Sequence, residues 1–142
     1  MHTSATMASA VIALIWLGML IGVSFIATPA KFAVRELTRP VALQVGRATF
    51  SVFTRIEWTT AAALLFACAL DWRTRPLALV LTLCVAACVL AQATWLLPVL
   101  GLRVATIASG EEPRPSTHHR VYAALEAAKA GMLAAVAVLA LR

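Results

Sequence analysis

Glu126 and Lys129 stand three residues apart inside the last apolar segment of a 142-residue chain, and Arg55 and Glu57 stand inside an earlier one. A spacing of three puts Glu126 and Lys129 on one helical face. Acids and bases in apolar surroundings can bind an ion or polar solute, pass a proton, or only neutralise one another. They cannot be kept out of the membrane by moving the helix ends. From Ala130 to Leu141 there are twelve uncharged residues, which reach only ~18 Å at ~1.5 Å per residue against a ~30 Å hydrocarbon core. Trp58 to Leu70 is nearly as short, so a spanning helix there takes in Glu57 and Arg55. A central charge costs roughly 2.5 to 3.5 kcal/mol on insertion scales, so these side chains should meet partners inside the protein. The expected layer pairs Glu57 with Lys129 and Glu126 with Arg55, with Gln92, Thr94, Thr28 and Ser24 completing the hydrogen bonds. The competing expectation is a structural clasp, with Arg55 and Lys129 snorkelling to the interface.

Other reactive side chains are sparse. His118 and His119 open the last segment, and with Lys31 and Tyr122 they are expected at the mouth of the charged layer. Adjacent histidines point different ways on a helix, and with no third ligand nearby they do not make a zinc site. Cys84 and Cys88, four apart, fall at a depth comparable to Met19 and Met132, so a soft Cu(I) site is conceivable, although Cys and Met are also ordinary core fillers. Three cysteines inside apolar runs do not read as a disulfide framework. The chain has no nucleotide-binding loop, Ser-His-Asp order or metalloprotease spacing, so no catalytic residue, resident metal or cofactor is expected.

The elements that carry these residues follow from composition. At 62% hydrophobic and 13% charged, the chain falls far outside the soluble norm of about 25% charged. It reads as an integral membrane protein in a lipid bilayer. Ala- and Leu-rich runs without ten-residue alternation favour helices over a barrel. The expected fold is a single all-α domain over 1–142, a four-helix bundle with spans at about 8–27, 51–70, 77–97 and 120–141. The first span lacks the basic flank of a signal peptide and exceeds the usual ~7 to 15 apolar residues, which argues against cleavage. Pro29 should end or kink it. Pro98 should mark the exit of the third span, with 99–109 as a separate surface helix and Gly110–Thr117 as a loop. Ser116 or Thr117 can cap the last helix.

The net charge of +6 sits in the connections and forms no basic face, so it reads as a topology signal, not a nucleic-acid site. Lys31, Arg35, Arg39, Arg47, Arg103, Arg114 and Arg120 flank one end, against Arg73, Arg75 and Arg142 at the other. By the positive-inside rule the first set faces the cytoplasm and both termini lie outside, in a bacterial inner membrane. At an offset of 69 residues Pro29 meets Pro98, Glu57 meets Glu126, Phe53 meets Tyr122 and Arg73 meets Arg142. Such a repeat would make two helical hairpins in parallel, with composition-driven coincidence as the alternative.

Gly22-Val-Ser24-Phe25, Phe32, Gly46-Arg-Ala-Thr-Phe50, Trp95-Leu-Leu-Pro98 and the His118-His119 start of the last helix together resemble the transmembrane protein 205-like family of small four-helix membrane proteins. The resemblance implies a four-helix membrane domain and, from the family's animal members, a link to resistance against toxic metal compounds and thus to handling of a solute. The connection before the last helix is shorter than in those proteins, and Glu57 and Lys129 map onto no family motif. The functional expectation is binding or passage of a small solute or ion through Arg55, Glu57, Gln92, Glu126 and Lys129, in a homo-oligomer because four thin helices enclose little volume. The alternative is an accessory subunit whose paired charges fix helix packing. A haem or copper oxidoreductase would need ligands that are not found.

Overall fold

The protein, seen in a computed structural model, is described for residues 2–111 and 115–142. Arg114 and the middle of the Gly110–Thr117 connection lie outside the described residues. The helices are α1 (His2–Leu20), α2 (Thr28–Ala33), α3 (Arg39–Leu70), α4 (Pro76–Ala91), α5 (Leu97–Ala108) and α6 (His118–Leu141). Two π-helical segments, Ile21–Ala27 and Gln92–Leu96, join α1 to α2 and α4 to α5 without a break. The result is an all-α bundle of four rods, each long and apolar enough to cross a membrane.

The two prolines do not stop their rods, contrary to the sequence expectation. Proline donates no N–H and its ring collides with the carbonyl four residues back, which would normally kink the helix. Each proline here follows a widened turn in which the ladder slips by one residue. The Thr28 N–H donates to Val23 O and the Leu97 N–H to Gln92 O, five residues back in both cases. This relief lets the chain continue as helix past each proline. The segment after Pro98 is therefore a continuation of the third rod and not a separate surface helix.

Rod length follows. Ser4–Ala33, Arg39–Leu70 and Pro76–Ala108 hold 30, 32 and 33 residues, or about 45 to 50 Å. A ~30 Å hydrocarbon core leaves each with an overhang of roughly 15 to 20 Å. Helix α6, with 24 residues, is about 36 Å long.

Around the bundle, α1 packs against α3 and α6, and α4 packs against the same two helices. Helices α3 and α6 thus stand opposite each other. Each contributes an inward stripe at steps of three and four: Phe53, Glu57, Ala61, Leu64 and Cys68 from α3, and Tyr122, Glu126, Lys129, Leu133, Val136 and Ala140 from α6. Trp16 and Leu20 of α1 and Val85 and Val89 of α4 close the core. Outward positions carry Leu14, Ile15, Val52, Phe66, Val80 and Leu83, large and apolar as a lipid-facing surface requires.

The end opposite the basic connections is tied by Asp71. Its carboxylate accepts from Thr6 Oγ1 at 3.0 Å and from Thr74 Oγ1, and it lies 4.0 Å from Arg75 Nε. Arg75 Nη1 donates to Leu139 O at 2.8 Å, satisfying one of the carbonyls that the end of α6 leaves open.

Candidate functional site

Glu57 lies 13 residues before the end of α3 and Lys129 lies 12 before the end of α6. Both are therefore about 20 Å from the Asp71 end, within the hydrocarbon layer. There the ammonium of Lys129 sits between two carboxylates, 2.6 Å from Glu57 Oε1 and 2.6 Å from Glu126 Oε1. The pair to Glu57 bridges the bundle from α6 to α3. Three neutral donors complete the triad: Trp16 Nε1 to Glu57 Oε1 at 3.3 Å, Gln92 Nε2 to Glu126 Oε1 at 2.8 Å and Ser24 Oγ to Glu126 Oε2 at 2.6 Å. Every rod supplies a member. Both π segments take part, since Ser24 lies in the first and Gln92 opens the second. A widened turn re-aims a side chain that a regular helix would hold elsewhere, which is why such turns gather at polar sites.

Glu57, Glu126 and Lys129 are at most 1% exposed. The carbonyl oxygen of Gln92 is buried with no hydrogen-bond partner among the described residues. The triad is thus a closed polar knot, and it does not open to water as a vestibule.

Arg55 is not part of it, which corrects the expected Glu126–Arg55 pair. It is exposed, and the reason is angular: two residues on a helix are about 200° apart, so Arg55 and Glu57 cannot share a face. Lys129 serves both acids instead. Thr94 fails for the same reason relative to Gln92; it is exposed and donates to Leu90 O. Thr28 donates to Val23 O at 2.9 Å, within its own rod. Thr117 occupies the N-cap position of α6 but makes no capping bond, while Ser116 Oγ stands 2.9 Å from His118 Nδ1.

Toward the basic end, one helical turn beyond the triad, a cavity of about 670 Å³ opens between the overhanging parts of the rods. Thr54, Ala93 and Tyr122 line its inner end. Tyr122 is buried one turn from Glu126 on the same helix, and it lines the cavity. Phe50 meets the Tyr122 ring edge-on, with centroids 5.1 Å apart. Of the residues expected at the mouth, Lys31, His119 and Tyr122 line the cavity, whereas His118 turns aside to pack edge-on against Trp95 at 6.0 Å.

Sequence reasoning missed the cavity because it treated the basic residues as topology signals. Lys31, Arg39, Arg47 and Arg103 all line it. Two glycines make the room. The Lys31 ammonium lies directly over Gly46, where a Cβ would displace it, and between the Phe32 and Phe50 rings at 5.2 and 5.8 Å. The Arg47 guanidinium lies against Gly101, its Nε 3.5 Å from where a Cβ would stand. The conceivable copper ligands are divided: Cys84 is exposed on the outside of α4, whereas Met19 and Met132 pack against the core. Among the described residues no three His, Cys, Asp or Glu side chains group as metal ligands.

No curated protein and no solved structure matches the chain. The profile of a family described as "Domain of unknown function (DUF4149)" matches residues 11–101. That stretch holds Trp16, Ser24, Glu57, Gln92 and most of the cavity wall, and it stops before α6 and the Glu126–Lys129 half of the triad. Since the match covers more than half of its residues, this four-rod membrane protein belongs to the DUF4149 family.

Proposed function

We propose that the protein binds a small solute in the cavity at its basic end, that this end faces the cytoplasm, and that the Glu57–Lys129–Glu126 triad is the rigid floor beneath the site. The observation that carries this reading is a 670 Å³ cavity, well inside the ~300 to 1,000 Å³ range of small-molecule sites. Its lining residues all come from one chain, so the reading does not require the homo-oligomer that thin helices suggested. The resemblance to the transmembrane protein 205-like family points the same way, toward handling of a solute. The excess of Lys and Arg at this end supports the cytoplasmic orientation.

The same geometry favours the accessory, clasp-like role for the triad itself. Its charged groups are enclosed and bonded to one another, so they hold the rods in register and set the depth of the cavity.

The test is accessibility. In a background carrying Cys68→Ala, Cys84→Ser and Cys88→Ala, Thr54→Cys at the cavity floor should react with a membrane-impermeant maleimide in inverted vesicles and not in right-side-out vesicles. Labelling from the other side would overturn the orientation. Labelling from neither side, with the protein folded, would overturn the open cavity.

A further inference from the structure

The described walls of this cavity carry one sign of charge. Lys31, Arg39, Arg47 and Arg103 come from three of the four rods, His119 from the fourth, and no Asp or Glu is among the described residues that line it. Lys31, Arg39 and Arg47 make no ion pair among the described residues. Like charges converging on one space repel, and Lys31, Arg39 and Arg47, held there without an acid among the described residues that line the space, leave that repulsion to be relieved by an anion.

The rest of the wall is apolar. Leu43, Phe50, Leu97, Leu100, Val104 and Ile107 make most of it. A lone inorganic anion neither fills 670 Å³ nor gains from this surface, because such volumes suit drug-sized bodies. Depth adds a third constraint. The cavity is built from rod ends that overhang a ~30 Å hydrocarbon core by roughly 15 to 20 Å, which is the level of the lipid headgroups. Two glycines are placed so that cationic heads can lie flat against a neighbouring helix, Lys31 over Gly46 and Arg47 over Gly101. That is the preparation of a binding wall and not the outward snorkelling of a topology signal.

Resting on the cavity reading above, we infer that the ligand is an anionic amphiphile: a phosphate ester head bound by Lys31, Arg39 and Arg47, with an apolar body against Phe50, Leu97 and Val104. The head could belong to a bilayer lipid or to a soluble phosphate ester that carries an apolar group, and the chemistry of recognition is shared. The guanidinium groups suit the planar, two-pronged grip on phosphate oxygens that ammonium groups lack.

The experiment uses the full chain in a neutral detergent, with thermal unfolding and native mass spectrometry as readouts. The probes are dioleoyl phosphatidic acid, dioleoyl glycerol, phenyl phosphate and inorganic phosphate. Phosphatidic acid should raise the unfolding temperature and form a one-to-one adduct, and dioleoyl glycerol should do neither. Lys31→Gln and Arg47→Gln should each weaken phosphatidic acid binding about tenfold, the effect of one charge-assisted contact. Arg73→Gln, at the far end, should leave it unchanged. Phenyl phosphate binding with similar charge dependence would assign the site to soluble esters, and its absence would assign it to lipid. Equal binding of dioleoyl glycerol, or phosphatidic acid binding indifferent to Lys31→Gln and Arg47→Gln in folded protein, would overturn the inference. So would binding of inorganic phosphate alone as tight as that of the esters. If no probe binds while Thr54→Cys is still labelled, the anionic ligand is refuted and the cavity stands.

Discussion

Replacing Lys129 by methionine removes the ammonium and keeps the volume. At 2.6 Å from each of two carboxylate oxygens, the ammonium gains about 6 kcal/mol of gross attraction per contact at an effective dielectric near 20. Most of that is offset by the cost of taking the ions out of water. What the substitution leaves behind matters more. Both acid oxygens touch the same nitrogen, so they lie no more than about 5 Å apart, and their repulsion is at least about 3 kcal/mol on the same scale. Lys129→Met should therefore destabilise the fold by about 3 to 5 kcal/mol, the range for one half of a buried pair removed. The decisive comparison is the triple variant Glu57→Gln, Glu126→Gln, Lys129→Met, which leaves no uncompensated charge. It should recover to within about 1 to 2 kcal/mol of the parent, since buried ion pairs replaced whole are often near neutral. The assay is reversible unfolding by denaturing detergent, followed by helical circular dichroism. A Lys129→Met variant within 1 kcal/mol of the parent, or a triple variant no better than the single, would refute the placement of all three charges in one closed knot.

Other outcomes follow from the same geometry. Arg55→Gln should change stability by no more than about 0.5 kcal/mol in the same assay, because the side chain is exposed; a loss above 2 kcal/mol would return it to the charged layer. Exchanging the partners, Glu57→Lys with Lys129→Glu, should keep most of the stability that either single change loses, as a double-mutant cycle will show. Gly46→Ala should cost under about 1 kcal/mol, since the Cβ meets only the mobile end of Lys31, yet it should weaken anionic probe binding by displacing the ammonium. Trp16→Phe should cost about 1 to 2 kcal/mol through the lost bond to Glu57 Oε1, and a neutral result would show that Lys129 alone holds that oxygen.

Reach made part of this legible in advance. A twelve-residue apolar run cannot span, so Glu126 and Lys129 had to enter the bilayer, and α6 indeed places them on its inward stripe with Tyr122 and Leu133. Arg55 and Glu57 share a depth, but helical periodicity sets them on different faces, and angle decides over depth. The π segments were hidden because a slipped hydrogen-bond ladder leaves no mark in residue type; only Pro29 and Pro98 hinted at it, and they read as terminators. Trp16 carried no signal that distinguished it from an interfacial tryptophan. The cavity was hidden for a different reason. Its wall is made by Gly46, Gly101 and cations spread from Lys31 to His119, and only the continued rods bring them to one level.

The weak repeat gains meaning from the packing. An offset of 69 carries the π segment Ile21–Ala27 onto 90–96, which contains the second, Gln92–Leu96, and it carries Pro29 onto Pro98 and Glu57 onto Glu126. The contacts obey the same relation, since α1 and α4 each touch both α3 and α6. Symmetry fails at Trp16, Ser24 and Gln92, whose counterparts are Val85, Ala93 and Val23, and most consequentially at the base. The counterpart of Lys129 is Thr60, whose hydroxyl donates back to its own helix, to Ile56 O at 3.0 Å and Glu57 O at 3.1 Å. Two acids at corresponding positions therefore share one base, and that base lies on α6, beyond the residues matched to the family. A first hairpin alone would bury Glu57 with only Trp16 to answer it, so the two halves are not independent folding units: the second supplies the charge that lets the first close.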